Sequence, residues 1–205
     1  MPTHDRAAKV GVWAYLLFTM ASFLLALFFL FRGGFSHNVS MIALPIWMGY
    51  TAFNAIKSIA DLIGAAQANE VVFTRNTSES LNLVAKSFAP TVLEPGDEVV
   101  ITIMEHHSNL IPWQQVCRET GAKLVYLYPT KTGQLTTEEV LAKVGPKTKI
   151  LAVVQVSNVL GVENPVKNLG KLVHKYGGYL VVDGAQSLPH MPVDVGTSAP
   201  TLFIF

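Results

Sequence analysis

The chain has 205 residues, of which 50% are hydrophobic and 14% charged, and its formal net charge is +1. Such a near-neutral balance carries no polybasic signal and argues against nucleic acid as a partner. The single cysteine, Cys117, excludes an internal disulfide framework and a multi-cysteine metal site.

The length suits one ordinary domain, and the apolar excess is concentrated before about residue 65. Val12 to Phe31 is an uncharged run of 20 residues, long enough as a helix to cross a hydrocarbon core of roughly 30 Å. The spacing predicts a transmembrane helix there. The alternative is a secretory signal, but the run is long for one and lacks a clear small-x-small cleavage site. Arg6 and Lys9 precede it and Arg32 follows, so charge leans only weakly towards a cytoplasmic N-terminus. Two readings stand for Met41 to Ile56: a second span, or the lead-in to an amphipathic helix. The second is favoured, because Ile56, Ile59, Ala60 and Ile63 fall on one stripe and Gly64 supplies a stop.

From Glu70 the character changes. Val71–Phe73 reads as a short strand, followed by a helix capped by Asn76 or Thr77 that carries Leu81, Val84, Ala85 and Phe88 at helical spacing. A turn at LEPGDE leads into a β-branched strand, Val99 to Ile103. Asn109 to Thr120 is predicted helical and closed by Gly121, with KLVYLY (123–128) as the next strand. TTEEVLAKVG (136–145) has a threonine cap and acidic residues in its first turn. KILAVVQVS (149–157) is a long apolar strand, and Asn164 and Pro165 are expected to cap and start a helix that ends at Gly177 and Gly178. YLVVDGAQ (179–186) and LFIF (202–205) hold the last two strands. Strand–helix alternation with near-continuous apolar strands predicts an α/β fold, a mostly parallel sheet with helices on both faces.

In such sheets ligands bind outside the carboxyl ends of the strands. Those ends carry Glu105, His106 and His107; Ser157 and Asn158; Asp183 and Gln186; and, at a helix N-terminus, Thr77 and Ser78, where hydroxyls and free N–H groups suit a phosphate. Each has a plainer use: Thr77 and Ser78 as caps, the histidines as exposed loop residues, Asn158 as a turn residue. Adjacent histidines point apart, so zinc is disfavoured, and no GxxxxGK[ST] loop exists to make Asp183 a magnesium ligand beside a nucleotide. Their coincidence on one edge suits a flat, anionic, nitrogen-containing cofactor, and pyridoxal 5'-phosphate fits that description.

Four stretches now carry a resemblance: EVVFTRNTSESLNLVA (70–85), MEHHSNLIPWQ (104–114), VSNVLGVENPV (156–166) and VVDGAQSLPHMPVDV (181–195). In this order and spacing they resemble the successive motifs of Suf-type cysteine desulfurases of the class V aminotransferase family. The resemblance covers residues 50–205 as a partial cofactor domain of fold-type I architecture, and residues 1–40 lie outside it as an apolar segment. It implies pyridoxal phosphate as cofactor and L-cysteine as substrate. It also implies a sulfur-acceptor protein in iron–sulfur cluster assembly, and a homodimer. Thr77 and Ser78 would bind the cofactor phosphate. His106 would stack on the pyridine ring and assist proton transfer, and Asp183 would pair with the ring nitrogen. Gln186 would bond the phenolic oxygen, with Asn158 near that oxygen and the substrate carboxylate.

The family's lysine, which holds the cofactor covalently, follows the strand matching LFIF, and its persulfide cysteine and carboxylate-binding arginine come later still. Without them this chain is expected to have little or no desulfurase activity, and Cys117 is expected to be structural. Selenocysteine lyase or another class V lyase or aminotransferase is the near alternative; a non-catalytic, membrane-anchored remnant is the distant one. The apolar segment points to a single-pass membrane location, the family to the cytoplasm or a plastid.

Overall fold

The computed structural model describes Met20 and residues 37–205, with side chains from Trp47 onward in the second of these ranges. The expected span at residues 12–31 lies, apart from Met20, outside the described residues. No helix among those described is long and apolar enough to cross a membrane. The chain divides into two compact units, Met1–Ala55 and Ile56–Phe205. Helix α1, His37–Ile63, supplies the described part of the first unit apart from Met20, and its last residues belong to the second. There Ala60 and Ile63 are buried and Ile56 and Ile59 half-buried, as the predicted stripe requires. Gly64 ends the helix at φ +68°, a left-handed value that a side chain would strain.

The second unit is a five-stranded, wholly parallel sheet in the order β2-β1-β3-β4-β5. Its strands are β1 Glu98–Thr102, β2 Lys123–Leu127, β3 Thr148–Val154, β4 Tyr179–Asp183 and β5 Leu202–Ile204. Side chains alternate between the two faces, so each apolar strand feeds two cores. Val99, Ile101, Ile150, Ala152 and Val181 pack on one side with Leu81 and Ala85 of helix α2 (Thr77–Leu83, continued as a π-turn through Phe88) and with Ala89 of α3 (Ala89–Val92). Trp113, Val116 and Cys117 of α4 (Ile111–Thr120) complete that layer. Val100, Leu151, Val153, Leu180 and Val182 pack on the other side with Val140 of α5 (Thr137–Lys143) and Val166, Leu169 and Val173 of α6 (Val166–Lys175). Burying each such side chain contributes about 1.5–3 kcal/mol. The parallel sheet with helices on both faces is therefore as predicted. A short helix, α7 (Val195–Ser198), precedes β5.

Four local expectations are corrected. Val71–Phe73 is not a strand: Val72 and Phe73 are 73% and 62% exposed, and the stretch has no ladder partner among the described residues. A strand without a neighbour leaves its backbone groups to water, and here a 3-10 turn, Ala68–Glu70, precedes it instead. The third strand ends at Val154 rather than Ser157, because the Gln155 and Ser157 amides turn to the Asp183 and Val162 carbonyls. Between β1 and α4 the chain makes a separate 3-10 turn, His107–Asn109. Asn164 does not cap α6; its Nδ2 donates to the Val154 carbonyl at 2.8 Å, tying the loop back to β3.

Gly184 follows Asp183 where β5 crosses close by. A Cβ there would collide with the Phe203 ring, so only glycine admits that packing. Gly184→Ala is expected to cost about 1–3 kcal/mol by overpacking, read as a lower denaturant midpoint with unchanged slope.

Candidate functional site

The carboxyl ends of β1 and β4 and the loop after β3 open on one cavity of about 300 Å³. It is lined by Asn76, Thr77, Ser78, His106, Ser108, Val154, Asn158, Asp183, Ala185 and Gln186. All six residues selected from the sequence, Thr77, Ser78, His106, Asn158, Asp183 and Gln186, are among them. His107 and Ser157 are not. A larger hollow of about 420 Å³ near Asn164 and Asp194 has no imidazole, and its carboxylates, Glu163 and Asp194, are exposed.

Helix α2 reaches the cavity through its N-terminus. Asn76 Oδ1 accepts the Glu79 amide at 2.9 Å, a standard cap. The Thr77 and Ser78 amides and hydroxyls make no hydrogen bond among the described residues, which leaves them open to solvent or a ligand. On the outside of this turn Arg75 grips Glu79, with Nη2 to Oε1 at 2.8 Å, which holds the Glu79 carboxyl below its usual range.

His106 leaves β1 with extended backbone, φ −63° and ψ 150°. The Ser108 amide donates to its Nδ1 at 3.2 Å and the Ser108 hydroxyl lies 2.7 Å from the same nitrogen. An Nδ1 that accepts leaves the ring proton on Nε2. The His107 ring stands 6.1 Å away at 85°, consistent with its absence from the cavity.

Asp183 ends β4, almost fully buried, and its Oδ1 accepts the Ala185 amide at 3.0 Å. Burial raises its carboxyl above the ordinary aspartate value; the Ala185 amide and the field of His106 pull the other way. The side-chain amides of Asn158 and Gln186 make no hydrogen bond among the described residues. Ser157 has a structural task, its Oγ accepting the Leu160 amide at 3.2 Å.

Two features go beyond the sequence reading, which places Glu105 at the end of the strand without giving it a role. Asn76 and Ser108 line the cavity, and the first had been considered only as a cap. Next to His106 in the chain is Glu105, whose Oε1 accepts the Thr102 hydroxyl and whose Oε2 accepts Asn109 Nδ2, each at 2.6 Å, and whose carboxyl also accepts the Val154 amide. Burial pushes its carboxyl up to about 7, and the charge of Asp183 adds to that. The available signal was spacing, with hydrogen-bonding side chains three residues before and four after a strand-end acid.

A buried acid, an imidazole of defined tautomer, two free amides and a helix start with free donors fit a phosphorylated, protonatable ring in shape and charge. Fold and site together define an α/β protein with one cavity at the carboxyl edge of a parallel sheet. The chain belongs to the class V aminotransferase family, whose model, aminotransferase class-V, matches residues 46–199. It is 48% identical over 151 residues to a probable cysteine desulfurase of Halalkalibacterium halodurans, covering 74% of this chain and 37% of that protein. The structure is similar to a cysteine desulfurase of Escherichia coli in its S-sulfonic acid form, with TM-score 0.69 and 37% identity, covering 73% of this chain and 37% of that one. It is also similar to the apo cysteine desulfurase of Thermococcus onnurineus, with TM-score 0.68 and 42% identity over 72% and 36% of the two chains. This chain therefore spans little more than a third of the length of these relatives.

Cys117 lies buried in the first core, and desolvation pushes its thiol up to about 11 from 9.0. Its thiolate fraction at neutral pH is then on the order of 100-fold below that of an ordinary thiol. A chromogenic disulfide reagent is expected to modify it slowly in the folded protein and promptly in denaturant. Glu105 carries a second prediction. Its carboxyl, raised from 4.5 to about 7, stays protonated in the folded state while the unfolded chain gives up its proton first. Stability is thus fully present below about 4.5 and lost as pH rises through about 7, by about 3 kcal/mol. Denaturant melts of wild type and Glu105→Gln from pH 4 to pH 8 test this: the difference between the two curves is expected to decline across that window.

Proposed function

We propose that this chain carries the pyridoxal-phosphate seat of a cysteine desulfurase, the enzyme class that takes sulfur from L-cysteine and leaves alanine. The carrying observation is that six side chains from four separate segments line one cavity at the carboxyl edge of the sheet. The names and identities of the similar proteins support the substrate class.

In this reading the Thr77 and Ser78 hydroxyls and amides bind the phosphate, helped by the positive end of α2. Asp183 would accept a hydrogen bond from the protonated ring nitrogen, and its burial would make that charge-assisted bond strong. His106 lies against the ring, and its Nε2–H is the proton available to the reacting centre. Gln186 donates to the phenolic oxygen, and Asn158 orients that oxygen and the substrate carboxylate. The bound cofactor supplies an electron-withdrawing ring that stabilises negative charge developing on the substrate. No lysine is among the described residues that line the cavity. The same reading includes a sulfur-acceptor protein and a homodimer for the whole enzyme.

Pyridoxamine phosphate lacks the aldehyde through which lysines capture pyridoxal phosphate, so it tests the seat itself. Saturable binding is expected by fluorescence titration, of similar strength for both compounds. Asp183→Asn is expected to weaken it ~10- to 100-fold through loss of a charge-assisted hydrogen bond. Absence of saturable binding by either compound would refute the proposal.

A further inference from the structure

One turn between β1 and α4 decides where the His106 imidazole points, and the chain is tied down on both sides of it. Before His106, Glu105 accepts the Thr102 hydroxyl and Asn109 Nδ2, each at 2.6 Å, and the Val154 amide at the end of β3. The two side-chain donors are themselves fixed. Asn109 is fully buried and its Oδ1 accepts the indole N–H of Trp113 at 2.8 Å, while Thr102 Oγ1 accepts the Met104 amide at 3.0 Å. After His106, the Asn109 amide closes the turn on the His106 carbonyl at 2.8 Å. The backbone of His106 is thus braced from β1, β3 and α4 at once. Its side chain is held by Ser108. The imidazole caps the 3-10 turn His107–Asn109: its Nδ1 accepts the Ser108 amide at 3.2 Å, and the Ser108 hydroxyl lies 2.7 Å from the same nitrogen.

We propose that Ser108 is a positioning residue of this site. Its amide and hydroxyl together engage Nδ1 of His106, fix the ring, and leave Nε2–H as the one free proton of the imidazole. The brace around Glu105 keeps the turn in the shape that this requires. The inference deepens the reading of the cavity as a pyridoxal-phosphate seat and rests on it for its use. Both His106 and Ser108 line that cavity, and Ser108 acts there through the imidazole.

The amide decides the tautomer. A backbone N–H can only donate, so the Nδ1 that receives it carries no proton, and a hydroxyl facing the same lone pair must donate as well. A ring with two donors on one nitrogen has lost its rotation about both side-chain bonds before any ligand arrives. Ordering of that kind otherwise opposes binding; here it is complete on folding, and the supporting contacts come from rigid elements. A serine that served the turn alone would need no contact with the ring, since the turn already closes through the Asn109 amide.

Two experiments decide this. The first needs no ligand: the ring nitrogens and the χ1 couplings of His106 are read by NMR at about pH 9, where an ordinary imidazole is neutral. Wild type is expected to show an unprotonated Nδ1, a protonated Nε2 and one χ1 rotamer. In Ser108→Ala the two nitrogen shifts are expected to move towards each other and the couplings to average, and Ser108→Thr, which restores the hydroxyl, is expected to reverse both. Signals unmoved in Ser108→Ala overturn the proposal, even if stability falls, because a purely structural serine predicts that result. Glu105→Ala tests the brace, with a displacement at least as large expected. If that variant does not fold, Thr102→Val serves, with a smaller displacement of the same sign; unmoved His106 signals in the variant used overturn the brace. The second experiment titrates pyridoxamine phosphate into the three Ser108 proteins. Affinity is expected to fall ~2- to 10-fold in Ser108→Ala, the equivalent of ordering one side chain, and to return in Ser108→Thr. Equal affinity in all three overturns the use of the positioning in binding. Failure of the compound to bind any of them counts against the pyridoxal-phosphate reading, while the ligand-free spectra still judge the role of Ser108.

Discussion

Parallel pairing is the constraint on which the site depends. In a wholly parallel sheet every strand leaves the apolar layer at the same edge, so polar residues distant in sequence emerge side by side. Register then sets their spacing. Asp183 pairs with Val154 on one side and Ile204 on the other, so the acid stands at the rim where β3 and β5 also end. Ile101 pairs with Ala152, and the turn carrying Glu105 and His106 starts just beyond the next residue, Thr102. A slip of one residue would turn Asp183 to the opposite face and leave an unpaired charge in the core.

The same burial that builds the sheet sets the electrostatics of its edge. Asp183 and Glu105 both sit where charge is poorly solvated, and both are raised for that reason first. Their surroundings differ in kind. Glu105 has three neutral donors directed at it, from Thr102, Asn109 and the Val154 amide, whereas Asp183 has one backbone amide and the open cavity. One acid is thus tied to the scaffold and the other turned towards a ligand. Cys117, on the core side of α4, shows the third outcome of burial: a thiol made inert by desolvation alone.

Much of this was legible in the chain itself. Near-continuous apolar strands alternating with helices pointed to a parallel sheet covered on both faces, because such strands have no polar face to leave in water. The strand-end residues Thr77, Ser78, His106, Asn158, Asp183 and Gln186 were legible as candidates, since topology sends them to one edge whatever the packing in detail. Tertiary structure alone decided the rest. Val71–Phe73 has strand composition but no neighbour to bond, and a ladder is a property of two segments. Asn164 has the composition of a cap, but its amide found a better partner in the Val154 carbonyl. Glu105 reads as one more polar loop residue until the packing shows Thr102, Asn109 and Asp183 around it, because a carboxyl's proton affinity depends on what surrounds it in space and not on its neighbours along the chain.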